Sequence, residues 1–245
     1  MPNFVNWNGT SSLTLGADVY VEGYPRLSIP KRKTSVYSVP GRNGDIVFQQ
    51  DAWENFEQNY DIFFGHTITS NDALLRQKAE EVASWLFSRN GYGILTDSYD
   101  NAETFHLAYF VGPVDVESRL SRLGRCTITF TCRPERFYYS GLTEIAVTAT
   151  ETAITNPTVF ASKPLVKVEG TGNGTVTVGT STMTITGMTD YLYIDCEDMD
   201  VFRQIDENMN SLVSGTFFTI PGGSSVVEFT GGITGVTITP RWWSL

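Results

Sequence analysis

The chain has 245 residues, 41% of them hydrophobic and 18% charged, with a net charge of −10. That length suits one large or two modest domains, each able to bury its own core, and two are expected. The acidic balance disfavours specific binding to a phosphate backbone, and no basic patch offsets it.

Taken in order, Phe4 to Trp7 and Asp18 to Glu22 read as brief strands separated by Gly9, Gly16 and Gly23. Leu27 to Tyr37 is extended but charged, with Pro30 followed by Lys31, Arg32 and Lys33. It leads into Pro40-Gly41-Arg42-Asn43-Gly44-Asp45, so a long hairpin or arm ending in a turn is expected, with Asn43-Gly44 able to supply positive φ. Ile46 to Gln50 and Tyr60 to Gly65 have strand character, and the polar stretch Asp51 to Asn59 between them reads as loop.

One helix is expected from Ser70 to Arg89, capped by Ser70 or Asn71 and stopped by Asn90-Gly91. Leu75, Ala79, Val82 and Leu86 share one face for packing on a sheet, leaving Arg76, Lys78, Glu80 and Glu81 towards water. Tyr92 to Thr96, Phe105 to Val111, Val114 to Glu117 and Arg125 to Arg133 then read as strands. The last alternates Cys126, Ile128, Phe130 and Cys132 against Arg125, Thr127, Thr129, Thr131 and Arg133, a half-buried pattern that Pro134 is expected to end.

Beyond Tyr139 the texture changes to Thr, Val, Ile and Gly without helical periodicity. Glu144 to Ala149, Leu165 to Glu169, Thr175 to Val178, Thr182 to Ile185, Tyr191 to Asp195, Phe217 to Ile220, Ser225 to Phe229 and Val236 to Thr239 read as the short strands of a β-sandwich. The change places a boundary near Ser140, giving expected domains 1–139 and 140–245. Acidic residues outnumber basic ones 16 to 13 in the first and 11 to 4 in the second.

Candidate chemistry is sparse. Asp195, Glu197, Asp198 and Asp200 form an acidic cluster, yet an EF-hand starting at Asp195 would place Asp200 where Gly is needed and Asp206 where Glu is expected. As a glycosidase pair, Asp195 and Glu197 would sit about 6–7 Å apart on one strand face, without a recognisable cleft. The cluster reads as an exposed strand end and turn. His66 and His106 have no neighbour at metal-ligand spacing, no GxSxG occurs, and Gly170-Thr-Gly-Asn-Gly174 reads as a β-turn. No catalytic residue, metal or cofactor is expected.

Cys126, Cys132 and Cys196 form no CxxC pair; the first two would lie roughly 20 Å apart on one extended strand, so all three read as reduced, mostly buried thiols. Met1 to Gly9 lacks the basic start and apolar run of a Sec leader. No run of about 18 apolar residues suits a membrane span, so a soluble protein made in a reducing cytoplasm is expected. Tyr191 and Tyr193, and Trp242 and Trp243, could contact a sugar or a partner; of the tryptophans, one is expected in the core and one at the surface.

The order of these features resembles the distal tail protein (Dit) family of siphophages. The resemblance is carried by the arm and its Pro40 to Asp45 turn, the lone helix, and Thr127-Ile-Thr-Phe-Thr-Cys132 running into Arg133-Pro-Glu-Arg-Phe-Tyr138. Asn156-Pro157, Lys163-Pro-Leu-Val-Lys-Val-Glu-Gly170, Tyr193-Ile-Asp-Cys-Glu197 and Ile220-Pro-Gly-Gly-Ser-Ser-Val-Val-Glu-Phe229 complete it. It implies a mainly β fold: a tail-tube-like domain with one helix, then a galectin-like sandwich.

It further implies a structural, non-enzymatic virion protein at the tail tip: a homohexameric ring linking the tail-tube protein to a tail-associated hub or lysin protein and to receptor-binding proteins. DNA would pass through the lumen without specific binding. The arm, Leu27 to Asp45, would cross to a neighbouring subunit, with Lys31, Arg32, Lys33, Arg42 and Asn43 as contacts and Tyr193 and Trp243 on the outer face. The alternatives are a tail-tube-like subunit of a bacteriocin or gene-transfer particle, a carbohydrate-binding module of the adsorption apparatus, and, more distantly, a glycosidase.

Overall fold

Alternating apolar and polar side chains build most of this chain into strands. The structure is a computed structural model that describes residues 3–15, 19–23, 28–65, 72–100, 102–114, 117–119, 123–204 and 207–245. The chain divides into two units, Met1–Arg136 with Leu245, and Phe137–Ser244. The expected Ser70 or Asn71 cap, His66, Leu27 at the root of the arm, Asp18 and Asp206 lie outside the described residues.

In the first unit the strands are β1 (Val5–Trp7), β2 (Thr10–Ser11), β3 (Val19–Val21), β4 (Arg32–Tyr37), β5 (Ile46–Trp53) and β6 (Phe56–Gly65). The helix α1 (Asp72–Leu86) follows, then β7 (Gly93–Asp97), β8 (Thr104–Tyr109), β9 (Glu117–Arg119) and β10 (Leu123–Tyr138), whose last two residues belong to the second unit. The main sheet runs β2-β1-β7-β8-β10-β6-β3, with β9 also on β10. Cys126, Ile128, Phe130 and Cys132 all point into its core, as their alternation predicts. Phe130 is the hub of that core, its ring 5.0 Å from Trp7, 5.6 Å from Phe110 and 6.1 Å from Tyr60.

Val82 and Leu86 of α1 are buried in the same core. The helix is tied to the sheet's edge by two indoles: Trp85 Nε1 donates to the Thr10 carbonyl and Trp7 Nε1 to the Leu86 carbonyl, both at 3.2 Å. Lys78, expected in water, is buried, because the inward stripe runs through residues 78, 82 and 85 at spacings of 4 and 3. A lysine stem can line such an apolar stripe while its ammonium reaches a polar partner.

Two further expectations fail, the first because a sheet has a polar side. Asp51 to Asn59 is mostly strand, with only Glu54 and Asn55 between β5 and β6. Glu57 and Asn59 lie on the polar side of a ladder in which β6 pairs antiparallel with β10 from Phe56↔Cys132 to Gly65↔Leu123. Thr127 and Thr129 hydroxyls donate across it to Asp61 and Asn59, each at 2.6 Å. Pro134 likewise does not end β10, which continues to Tyr138. The last β6 pair is Cys132↔Phe56, so Pro134 stands beyond that ladder, where a missing N–H is tolerated.

The second unit contains β11 (Ile145–Val147), β12 (Thr152–Asn156), β13 (Leu165–Val178), β14 (Ser181–Met188), β15 (Tyr191–Asp195), β16 (Asp200–Phe202), β17 (Val213–Gly215), β18 (Gly223–Thr239) and β19 (Trp243–Ser244). Sequence patterning divides β13 and β18 into two short strands each; both are continuous. Leu165 to Glu169 pair with β15 on one side and with Thr239 to Gly235 on the other. Gly174 to Val178 pair with β14 and with Gly231 to Val227. β11 flanks the Val236 end of β18 and β12 its Gly223 end.

The eight-stranded sheet therefore curls over, and inward residues of both halves, among them Val166, Val176, Ile185, Ile194, Val227 and Ile238, share one core with Phe218 and Trp242. The mainly β fold class with a single helix among the described residues is as expected.

Gly170 to Gly174 is thus no hairpin turn but the bend of β13 where it crosses the bend of β18. The register shifts there, with Gly170 opposite Ile233 and Gly174 opposite Gly231. A Cβ on Gly170, Gly174, Gly231 or Gly232 would lie 2.2, 2.5, 2.4 or 1.8 Å from a carbonyl oxygen of the facing strand. Only glycine permits this approach, and the bulge it creates turns the sheet.

Candidate interaction site

The arm is a two-stranded sheet of its own. β4 and β5 pair through Tyr37↔Ile46, Val36↔Val47, Ser35↔Phe48 and Thr34↔Gln49, and with no other strand among the described residues. The tip turns through Gly41 and Gly44, at φ +80° and +79°. Gly44 thus meets the expectation of positive φ, whereas Asn43 does not adopt it.

What distinguishes this hairpin is its apolar surface. Val36, Tyr37, Val47 and Phe48 are 56%, 58%, 54% and 59% exposed, far above core residues of the same types. The period of two puts Val36 and Val47 on one face and Tyr37, Ile46 and Phe48 on the other, where the Tyr37 and Phe48 rings meet edge to face at 5.8 Å. Neither face is covered among the described residues, and a lone hairpin is marginally stable in water.

Sequence reading fixed on the arm's charges and passed over these residues. The signal was available: a run apolar on both faces, such as Ile46-Val47-Phe48, belongs to a strand buried on both sides, and this one is buried on neither.

The basic residues divide into two groups. Arg32 is engaged at the base of the arm, its guanidinium 5.0 Å from the Trp53 ring centroid and 4.0 Å from Asp51. There the Glu54 N–H also donates to the Lys31 carbonyl at 2.7 Å. Lys33, Arg42 and Asn43 are exposed along the arm and its tip.

Tyr193 and Trp243 belong to the second unit. Tyr193 is half-buried and stacks on Phe202 at 5.5 Å, with Tyr191 edge-on at 5.8 Å. Trp243 stacks on Phe160 at 4.5 Å and donates to the Ala161 carbonyl at 3.0 Å, while Trp242 is buried in the core. Both aromatics are held by neighbours.

The acidic cluster also resolves into structure. Asp195 is buried rather than exposed, its two oxygens each 2.8 Å from the Arg241 guanidinium, and it accepts the Glu197 and Asp198 N–H groups. Burial pushes its carboxyl up, but Arg241 and the backbone N–H groups outweigh that and hold it below its ordinary value. Arg241 also lies 3.7 Å from Glu197. Among the described residues no group of His, Cys, Asp and Glu is arranged to hold a metal ion.

One polar cluster had no sequence signal. In the first unit, Tyr60 Oη donates to Asp97 Oδ2 at 2.9 Å, Asp97 Oδ1 accepts the Tyr99 and Asp100 N–H groups, and Asp100 faces Arg136 at 3.3 Å. Arg136 Nε in turn donates to His106 Nε2 at 3.2 Å, so His106 is neutral there. Burial, then Asp97, pushes Asp100 up to about 6; burial, then Arg136, pushes His106 down to about 4. The three cysteines are buried free thiols, pushed up to about 11 for Cys126 and about 12 for Cys132 and Cys196, chiefly by burial, and so are poor nucleophiles.

No protein-family model and no curated protein matches the chain. Among solved structures it is similar to the Dit protein of phage SPP1, described as a paradigm of the hub adsorption apparatus in phages infecting Gram-positive hosts. The identity is 12%, the TM-score 0.76, and both chains are covered in full. The baseplate of phage p2 in its activated conformation matches at 9% identity and a TM-score of 0.44, over 96% of this chain and 97% of that one. From end to end, this chain has the fold of the SPP1 Dit protein.

Proposed function

We propose that this chain is a structural hub subunit of a phage tail tip. The observation that carries the reading is the full-length correspondence with the SPP1 Dit protein, in which neither chain leaves a part uncovered. On this reading residues 1–139 form the ring domain and residues 140–245 a galectin-like sandwich. Six copies close a ring between the tail tube and the tail-associated hub or lysin protein, receptor-binding proteins attach to the same assembly, and DNA passes through the lumen. The protein has no enzymatic activity and resides in the virion.

The arm supports this reading. A closed ring needs two different complementary patches on each subunit, repeated head to tail. A hairpin apolar on both faces and uncovered among the described residues would supply one of them. Lys33 and Arg42 would orient the docking against an acidic neighbour and the apolar residues would hold it. Native mass spectrometry tests the reading: the intact chain should give a hexamer, and the double variant Val47→Ser, Phe48→Ser a folded monomer. A hexamer undisturbed by that variant removes the arm from the interface. A chain that stays monomeric alone and with its tube and hub partners refutes the ring.

A further inference from the structure

The chain contains four Asn-Gly pairs, Asn8-Gly9, Asn43-Gly44, Asn90-Gly91 and Asn173-Gly174. Asn-Gly is the sequence most prone to spontaneous deamidation, because glycine has no Cβ to shield its backbone nitrogen or restrict its approach to the asparagine side chain. The nitrogen attacks the side-chain carbonyl carbon and loses its proton to water. The carbon to Nδ2 bond breaks, and ammonia leaves. The cyclic imide that remains is opened by water at either carbonyl, giving aspartate or isoaspartate. Nothing is oxidised or reduced, and the product carries one new negative charge.

The structure separates the four. Asn8 Oδ1 accepts from the Arg89 guanidinium at 3.2 Å, and its own N–H donates to the Ile94 carbonyl at 2.8 Å. Asn173 Oδ1 accepts the Gly187 N–H at 2.9 Å, and Gly174 is wedged against the Thr230 carbonyl. Neither can swing its side chain onto the next nitrogen without breaking these contacts. Asn90 is exposed, but its turn is clamped by Arg89 Nε donating to the Tyr92 carbonyl at 2.6 Å. Asn43 and Gly44 share with Asn90 and Gly91 an exposed position and a glycine whose Cβ would meet nothing within 4 Å, but no side chain clamps their turn at the arm's tip, and among the described residues no hydrogen bond holds the Asn43 side chain or the Gly44 N–H.

We propose that Asn43 is a site of spontaneous deamidation in the unassembled subunit, which adds a negative charge at the tip of the arm beside Arg42. The consequence for assembly rests on the ring reading above; the chemistry at Asn43 does not. An aged subunit would carry an acidic group on the surface meant for an acidic neighbour, so slow chemistry would select against subunits that are not incorporated.

The test is peptide mapping by mass spectrometry of the intact folded chain during incubation at mildly alkaline pH. Amide-to-acid conversion should appear first at residue 43, with isoaspartate in excess, then at residue 90, while residues 8 and 173 stay amides. In the same chain unfolded in urea all four should convert at comparable rates. A native chain in which Asn43 persists, or in which all four convert together, overturns the proposal. Asn43→Gln supplies a control that cannot form the imide readily. Repeating the incubation on the assembled ring separates the two claims: a rate at residue 43 unchanged by assembly counts against an engaged arm and leaves the chemistry of the free chain standing.

Discussion

Gly232 offers a sharp test of how the second unit is bent. A Cβ at this position would sit 1.8 Å from the Thr171 carbonyl oxygen, whereas real Cβ contacts stay above 3.0 Å, so β13 and β18 must separate by at least 3.0 − 1.8 = 1.2 Å. The obstacle is backbone in a paired strand, so no rotamer change relieves it. Overpacking alone costs about 1–3 kcal/mol, and each ladder hydrogen bond lost costs about 1 kcal/mol more, so Gly232→Ala should cost about 4 kcal/mol.

Gly172, in the same bend, provides the control. Its φ is +85° but a Cβ there meets nothing within 4 Å, so Gly172→Ala should cost only the left-handed backbone penalty, about 1–2 kcal/mol. Urea titrations followed by hydrogen exchange of peptides from Leu165–Val178 would read both variants. Equal costs for the two would refute the crossing of β13 and β18 as the cause of the glycine requirement.

The Asp97–Asp100–Arg136–His106 cluster predicts a compensated acid response. Asp100, raised from 3.8 to about 6, adds stability as pH falls through 6, whereas His106, lowered from 6.5 to about 4, removes it as pH falls below 6.5. The two oppose each other, so Asp100→Asn should make the first unit lose about 2 kcal/mol between pH 7 and pH 5, a loss of which Asp100 offsets more than half in the unaltered chain. Urea midpoints at the two pH values check this, and parallel curves would refute it. In the second unit, Arg241→Lys keeps the charge but loses the two-pronged contact and should cost about 1–2 kcal/mol, while Asp195→Asn, which leaves the partly buried Arg241 only the more distant Glu197 carboxylate, should cost about 3 kcal/mol. Because Asp195 is held below its unfolded value of 3.8, its contribution is present above that pH and fades as pH falls through the folded value, so the Asp195→Asn deficit should shrink in strong acid.

What was legible in the sequence was whatever a single element decides. The alternation of Cys126, Ile128, Phe130 and Cys132 needs only the pleat of one strand, and Val82 and Leu86 need only the turn of one helix. What failed depended on a second element. Pro134 and Gly170 to Gly174 look like strand breakers until the partner strand shows that one stands beyond its ladder and the others sit at a crossing. Lys78 looks like a surface residue until the buried stripe passes through it. The Tyr60 to His106 cluster joins residues from four strands and a loop, and no spacing announces it. Asp195, expected at an exposed strand end and turn, is instead buried, because Arg241, 46 residues away in sequence, takes up its charge.

The arm brings these threads to the function. Its strands satisfy each other's backbone but leave Val36, Tyr37, Val47 and Phe48 more than half exposed. Fully burying such side chains is worth about 1.5–3 kcal/mol each, so covering even half of that surface on a neighbour stabilises a contact by several kcal/mol. The charges cannot supply as much: Arg32 is already placed over Trp53, and the exposed Lys33 and Arg42 would form surface pairs worth at most about 1 kcal/mol each. Charge would then govern which neighbour is met and in what register, while apolar burial governs whether the contact lasts. If the proposed ring forms, high salt should slow its assembly more than it dissolves assembled rings, whereas Val47→Ser with Phe48→Ser should dissolve them at any salt.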